Sequence, residues 1–168
     1  MGSRSGSPVR SVELNEPADG IVRLNLMDQC ANVFVYGTLR KAARPDIHAR
    51  FLGGQSKWLG EGAVAGRLFL VSWFPALVRA DKADDQVLGE VFRLTDFEKT
   101  ILPLDEFEGC DLEKPQTSEY TRGIVPVRMR DGSTMPAWCY FYLRSVDGLE
   151  RIASGDFVDE LNLRKDLK

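Results

Sequence analysis

The chain has 168 residues, 43% of them hydrophobic and 28% charged, with a net charge of -3 and a pI near 5.3. That size fits one domain with a core of its own, and the mildly acidic balance excludes the basic footprint of a nucleic-acid binder. No apolar run approaches the roughly 20 residues that span a bilayer, no apolar leader core opens the chain, and three scattered cysteines fit a reducing, cytoplasmic setting rather than a disulfide framework.

Residues 1–20, rich in Ser, Pro, Gly and charge, read as a disordered polar tail, and 21–168 as a single domain. Ile21 to Met27 alternates apolar and polar residues, which predicts a short extra strand. A first strand follows over Asn32 to Tyr36 and breaks at Gly37, which can take backbone angles closed to other residues. The N–H groups of Gly37, Thr38 and Leu39 then leave the ladder and need partners elsewhere. Successive N–H groups in a turn form an anion-binding concavity; an ordinary strand end with a tight turn is the simpler alternative.

Pro45 to Leu52 predicts a helix, with Pro45 in the first turn and Gly53 as its C-terminal cap. Trp58 to Val71 reads as one long strand bent at Gly60, Gly62 and Gly66. A charged turn, Asp81 to Gln86, leads to a strand over Val87 to Leu94. Thr95-Asp96-Phe97-Glu98 fits a capping box in which the Thr95 hydroxyl caps the Glu98 N–H. A helix therefore starts near Asp96, and Pro103 predicts a kink or break within it. Leu104 to Glu108 follows as a final turn or second short helix. Asp111 to Ser118 is a polar loop. Tyr120 to Arg130 and Met135 to Leu143 are strands joined through Asp131-Gly132, and Asp156 to Leu161 predicts a last helix. Many strands, few helices and no strand–helix alternation predict an α+β fold: a small, mostly antiparallel β-barrel with a few short outer helices.

His48 is the single histidine. No nucleophile signature surrounds it, which argues against an imidazole-dependent triad. No close-spaced ligand set suggests a metal, and no glycine-rich phosphate loop suggests a nucleotide. Chemistry is left to carboxylates and backbone dipoles, with no cofactor. Glu108 is the sharpest candidate. It follows Phe107 in a run where Leu104 and Phe107 bury themselves, and apolar walls raise a carboxylate's pKa toward that of a neutral-pH base. A solvated surface glutamate is the ordinary alternative. Asp105 and Glu106 read as structural acids, Cys110 as an idle thiol, and Arg40 as a solvated side chain rather than a carboxylate clamp.

Taken in order, Val33-Phe34-Val35-Tyr36-Gly37-Thr38-Leu39-Arg40, Gly66-Arg67-Leu68-Phe69-Leu70, Phe74-Pro75-Ala76-Leu77-Val78, Leu104-Asp105-Glu106-Phe107-Glu108-Gly109, Tyr120-Thr121-Arg122 and Trp138-Cys139-Tyr140-Phe141-Tyr142 resemble the gamma-glutamylcyclotransferase family. The likeness is to its small members, the gamma-glutamylamine cyclotransferases and plant avirulence-induced relatives. It covers roughly Asn32 to Leu143. The resemblance implies a barrel fold and a transferase or lyase activity that releases 5-oxoproline from a gamma-glutamyl substrate. It implies Glu108 as general acid/base and Tyr36, Gly37, Thr38, Leu39 and Tyr120 as substrate-binding residues. It implies no cofactor, a small-molecule partner without nucleic acid or membrane, and a monomer or weak homodimer. Phe74 departs from the tyrosine common before this proline, so a hydroxyl is lost there. Two other functions fit the same residues: a non-catalytic amino-acid or peptide binding module, and a tailoring enzyme that removes a gamma-glutamyl protecting group.

Overall fold

The structure, a computed structural model, describes residues 30–80, 82 and 84–167. The expected tail over 1–20 and the strand over Ile21 to Met27 lie outside the described residues. Strand β1 (Asn32–Val35) is followed by helix α1 (Pro45–Phe51) and strands β2 (Ser56–Ala65), β3 (Arg67–Val71), β4 (Phe74–Val78) and β5 (Gln86–Leu94). Helix α2 (Phe97–Glu108), strands β6 (Tyr120–Met129), β7 (Thr134–Tyr142) and β8 (Glu150–Arg151), and helix α3 (Phe157–Asp166) complete the order.

Strands β1, β5, β2, β6 and β7 close into a barrel, and β4, β3 and β8 form a separate sheet. Every pairing is antiparallel except the closing one, where β1 meets β7 in parallel at Val33 and Trp138. The predicted mostly antiparallel barrel with short outer helices is therefore the observed fold. Closure leaves the five barrel strands without a free edge.

Side chains alternate along each barrel strand between two cores. Phe34, Val64, Val87, Val91, Val127, Ala137, Cys139 and Phe141 come from all five strands and fill the barrel, joined by Leu68, Leu77 and Phe157 from outside it. The opposite faces supply Val33, Val35, Phe92, Leu94 and Tyr140, which pack with Phe51 of α1 and with Ile101 and Leu104 of α2. This second core fixes α2 against the end of β1.

Several local expectations need correction. The long strand over Trp58 to Val71 is two strands parted at Gly66, so β3 leaves the barrel for the second sheet. The bend sits at a register shift between Trp58 and Gly60. Helix α2 is capped by Asp96 rather than Thr95: the Asp96 carboxylate accepts the Lys99 N–H at 3.2 Å. A carboxylate at this position also favours the helix dipole. Pro103 does not break α2, which runs to Glu108 as one helix. Pro103 and Lys99 are both exposed, so water can serve the Lys99 carbonyl that the proline leaves without a donor. The Asp131-Gly132 hairpin forms as expected, with Gly132 at φ 87°. Helix α3 extends to Asp166, past the predicted end.

Candidate active site

Gly37 follows β1, and its neighbours Tyr36, Thr38, Leu39 and Arg40 are all buried. The turn closes through the Arg40 N–H, which donates to the Gly37 carbonyl at 3.0 Å. The N–H groups of Gly37, Thr38 and Leu39 meet no acceptor among the described residues. Unpaired N–H groups in a buried loop carry a desolvation cost and mark a place for an oxygen ligand. The reason for glycine at 37 is space, not a positive φ as the sequence suggested. A Cβ there would lie 2.6 Å from Cγ of Pro75.

His48 seats this loop from below. Its Nδ1–H donates to the Leu39 carbonyl at 2.9 Å while its ring packs on Phe92. Arg40 is neither clamp nor solvated. It is buried and pairs with Glu90 at 3.3 Å and Asp156 at 2.8 Å, tying the loop to β5 and to the start of α3.

Across the cavity stands the last turn of α2. Ile101, Leu104 and Glu108 recur at three- and four-residue steps, so Glu108 falls on the buried stripe of the helix. Gly109, at φ 63°, ends the helix in the left-handed region where a side chain would be strained. Glu108 is half-buried, and its carboxyl has no hydrogen bond or ion pair among the described residues. Burial, then the charges of Glu119 and Asp105, push its pKa up to about 8.

The two pieces enclose a cavity of about 190 Å³. All six residues singled out from the sequence line it: Tyr36, Gly37, Thr38, Leu39, Glu108 and Tyr120. Both tyrosine hydroxyls are committed to the protein. Tyr36 donates to the Tyr140 carbonyl and Tyr120 to the Pro75 carbonyl, each at 2.8 Å. Burial raises both phenols above their ordinary pKa, so they remain neutral. Phe74 and Phe107 add apolar wall, and Trp73 stands exposed at the mouth, edge-on to Phe74.

The sequence reading missed Glu119 and Trp73. Glu119 directly precedes the Tyr120 already singled out, but only the fold brings it into one cavity with Glu108. Asp105 behaves as the structural acid expected. It is buried and takes both the Arg122 Nε–H at 2.8 Å and the Tyr140 hydroxyl at 2.7 Å. Cys110 is buried and its thiol is pushed up to about 11, foremost by burial. It holds no thiolate near neutral pH. No group of three or more His, Cys, Asp or Glu suited to a metal ion occurs among the described residues. No helix among them is long and apolar enough to cross a membrane.

Residues 33–159 match the model of the family "Gamma-glutamyl cyclotransferase, AIG2-like". The chain belongs to that family. The Escherichia coli protein YtfP, named a gamma-glutamylcyclotransferase family protein, is 31% identical over 134 residues, covering 76% of this chain and 96% of YtfP. A Methanocaldococcus jannaschii protein with a provisional gamma-glutamylcyclotransferase name is 33% identical over 76% of this chain and 95% of its own. Among solved structures, YkqA of Bacillus subtilis superposes with a TM-score of 0.61 at 28% identity, over 81% of this chain. The chain spans only 42% of YkqA's length. A mouse AIG2-like protein shares the fold at a TM-score of 0.55 and 21% identity.

Proposed function

We propose that this protein is a cyclotransferase that releases 5-oxoproline and a free amine or amino acid from a gamma-glutamyl substrate. What carries this reading is one juxtaposition: an unpaired carboxyl, Glu108, faces a loop of unpaired N–H groups across a small cavity. A gamma-glutamyl group presents a cationic α-ammonium and anionic or carbonyl oxygens. The two sides of the cavity suit these in turn.

In the proposed mechanism, Glu108 in its ionised form takes a proton from the α-ammonium. The freed amine attacks the side-chain carbonyl carbon of the same glutamyl residue and closes a five-membered ring. The carbonyl oxygen gains negative charge, and loop N–H groups aimed at it would stabilise that charge. Glu108 then gives its proton to the leaving nitrogen, the bond to that nitrogen breaks, and the carbonyl re-forms. The second proton of the ring nitrogen passes to the now ionised Glu108 and from there to the departing amine, which leaves as its ammonium ion. The pKa of about 8 suits a group that must first accept and then return a proton near neutral pH. Intramolecular attack at high effective molarity needs little further activation, so each proton transfer is assigned to Glu108. Tyr36 and Tyr120 serve as rigid walls that hold the glutamyl chain in register, their hydroxyls already spent on the backbone.

The test is 5-oxoproline release from a panel of gamma-glutamyl amines, peptides and anilides. The expected result is release from at least one of them by the wild type, and release near background by folded Glu108→Gln. A folded Glu108→Gln variant with the wild-type rate would overturn the assignment.

A further inference from the structure

The other buried or half-buried acids described above have cationic partners: Asp105 has Arg122, while Glu90 and Asp156 share Arg40. The cavity breaks that pattern. Its lining holds two carboxylates, Glu108 and Glu119, and no Lys, Arg or His among the described residues. Neither carboxylate has a hydrogen bond or ion pair there. Arg44 lies over the lining residue Trp73 and is held by Asp46 through two N–H bonds at 3.1 and 2.9 Å.

Glu119 is placed rather than loosely tethered. Its N–H donates to the Gly109 carbonyl and its carbonyl accepts the Leu143 N–H, each at 2.9 Å. Its backbone is thereby fastened to the end of α2 on one side and to the end of β7 on the other. A Cβ on Gly109, the residue after Glu108, would lie 4.0 Å from Oε2 of Glu119. The side chain thus turns toward the helix end that carries Glu108.

Two like charges sharing a cavity with aromatic walls repel each other, and a cation between them relieves the repulsion. We propose that Glu119 is a substrate-binding residue that holds the α-ammonium of the gamma-glutamyl group beside Glu108. This rests on the cyclotransferase reading and adds a division of labour to it. Glu108 moves the proton, while Glu119 fixes the nitrogen. The oxygens of the substrate, on its carboxylate and on the reacting carbonyl, are left to the N–H groups of Gly37, Thr38 and Leu39.

The other groups coupled to Glu108 would remain in a Glu119 variant. They are Asp105 on α2 with its partner Arg122, Cys110 in the loop after α2, Tyr36 after β1, Tyr120 on β6, and Cys139 and Tyr140 on β7. The charge of Glu119 raises the proton affinity of Glu108, so its removal lowers that affinity.

The experiment compares wild type, Glu119→Gln and Glu119→Asp with two anilides, gamma-glutamyl anilide and glutaryl anilide. The second lacks only the α-amine and cannot cyclise. The expected result in Glu119→Gln is a KM for gamma-glutamyl anilide raised about tenfold or more, as for loss of a charged hydrogen bond. The acid limb of kcat/KM moves to lower pH, and the calorimetric affinity for glutaryl anilide stays at least as high as in wild type. Glu119→Asp recovers part of the KM. Unchanged KM and unchanged pH limb in folded Glu119→Gln would overturn the proposal. Parallel loss of glutaryl anilide affinity would also overturn it, because the pocket itself would then have been damaged. If the wild type released no 5-oxoproline from any substrate, the cyclotransferase reading would fall. Calorimetry would still decide Glu119, since equal wild-type affinity for the two anilides contradicts an ammonium anchor.

Discussion

Asp105 and Glu108 stand one helical turn apart on the same face of α2, yet their surroundings differ completely. Asp105 is buried with its charge answered by Arg122 and by the Tyr140 hydroxyl. Glu108 is half-buried, answered by nothing among the described residues, and opens on the cavity. A paired buried carboxylate is part of the framework, whereas an unpaired one at a cavity holds free energy in reserve for a ligand. Proximity along the chain does not separate the two roles; the partners supplied by β6 and β7 do.

The largest effect that sharpens this contrast is on turnover. Glu108→Gln is nearly isosteric and cannot accept a proton, so 5-oxoproline release should fall by about 10²–10⁴-fold, with circular dichroism unchanged. Asp105→Asn should act in the opposite sense, on stability. It leaves the Arg122 guanidinium without its counter-charge, and breaking a buried pair from one side costs about 3 kcal/mol. Urea denaturation would measure this as a lowered midpoint. If Asp105→Asn were neutral in stability but dead in turnover, the assignment of the two acids would be reversed.

A third effect separates them by pH. Glu108 titrates near 8 in the folded chain, against about 4.3 for an unfolded glutamate. Between those values the folded state holds a proton that the unfolded state has released. The stability from this group is therefore full at low pH and is lost as pH rises through about 8. Glu108→Gln lacks this titration. The variant should gain on wild type by about 1–3 kcal/mol between pH 5 and pH 9, the range allowing for partial exposure. Paired thermal melts across that range would show the gap open. The smallest effect concerns the wall. Tyr120→Phe removes the hydrogen bond to the Pro75 carbonyl and should cost about 1 kcal/mol in a denaturant titration, with a modest change in KM.

How far this contrast could be read from sequence differs by residue. The buried stripe of α2 was legible, because Leu104 and Phe107 mark it and Gly109 closes the helix. The loop after β1 was legible for a similar local reason: a strand of apolar residues ending in glycine strips the next N–H groups of ladder partners. The reason for Gly37 was not, since it lies in the ring of Pro75, far along the chain. Arg40 was misjudged as solvated because its partners are 50 and 116 residues away and only barrel closure gathers them. Glu119 escaped for the same reason. Local pattern reports periodicity and capping, and it misplaced even the cap by one residue, choosing Thr95 over Asp96. Long-range pairing decides which charges are answered.

The most direct test of the central claim is a titration of the Glu108 carboxyl itself. Carbon-detected NMR on selectively labelled wild-type protein, with Glu108→Gln to assign the resonance, would follow it from pH 4 to pH 10. An apparent pKa near 8 is the predicted result. A midpoint between about 4 and 5, the range of an ordinary solvated glutamate, would contradict the account of Glu108 as an unanswered carboxyl poised to take and return a proton.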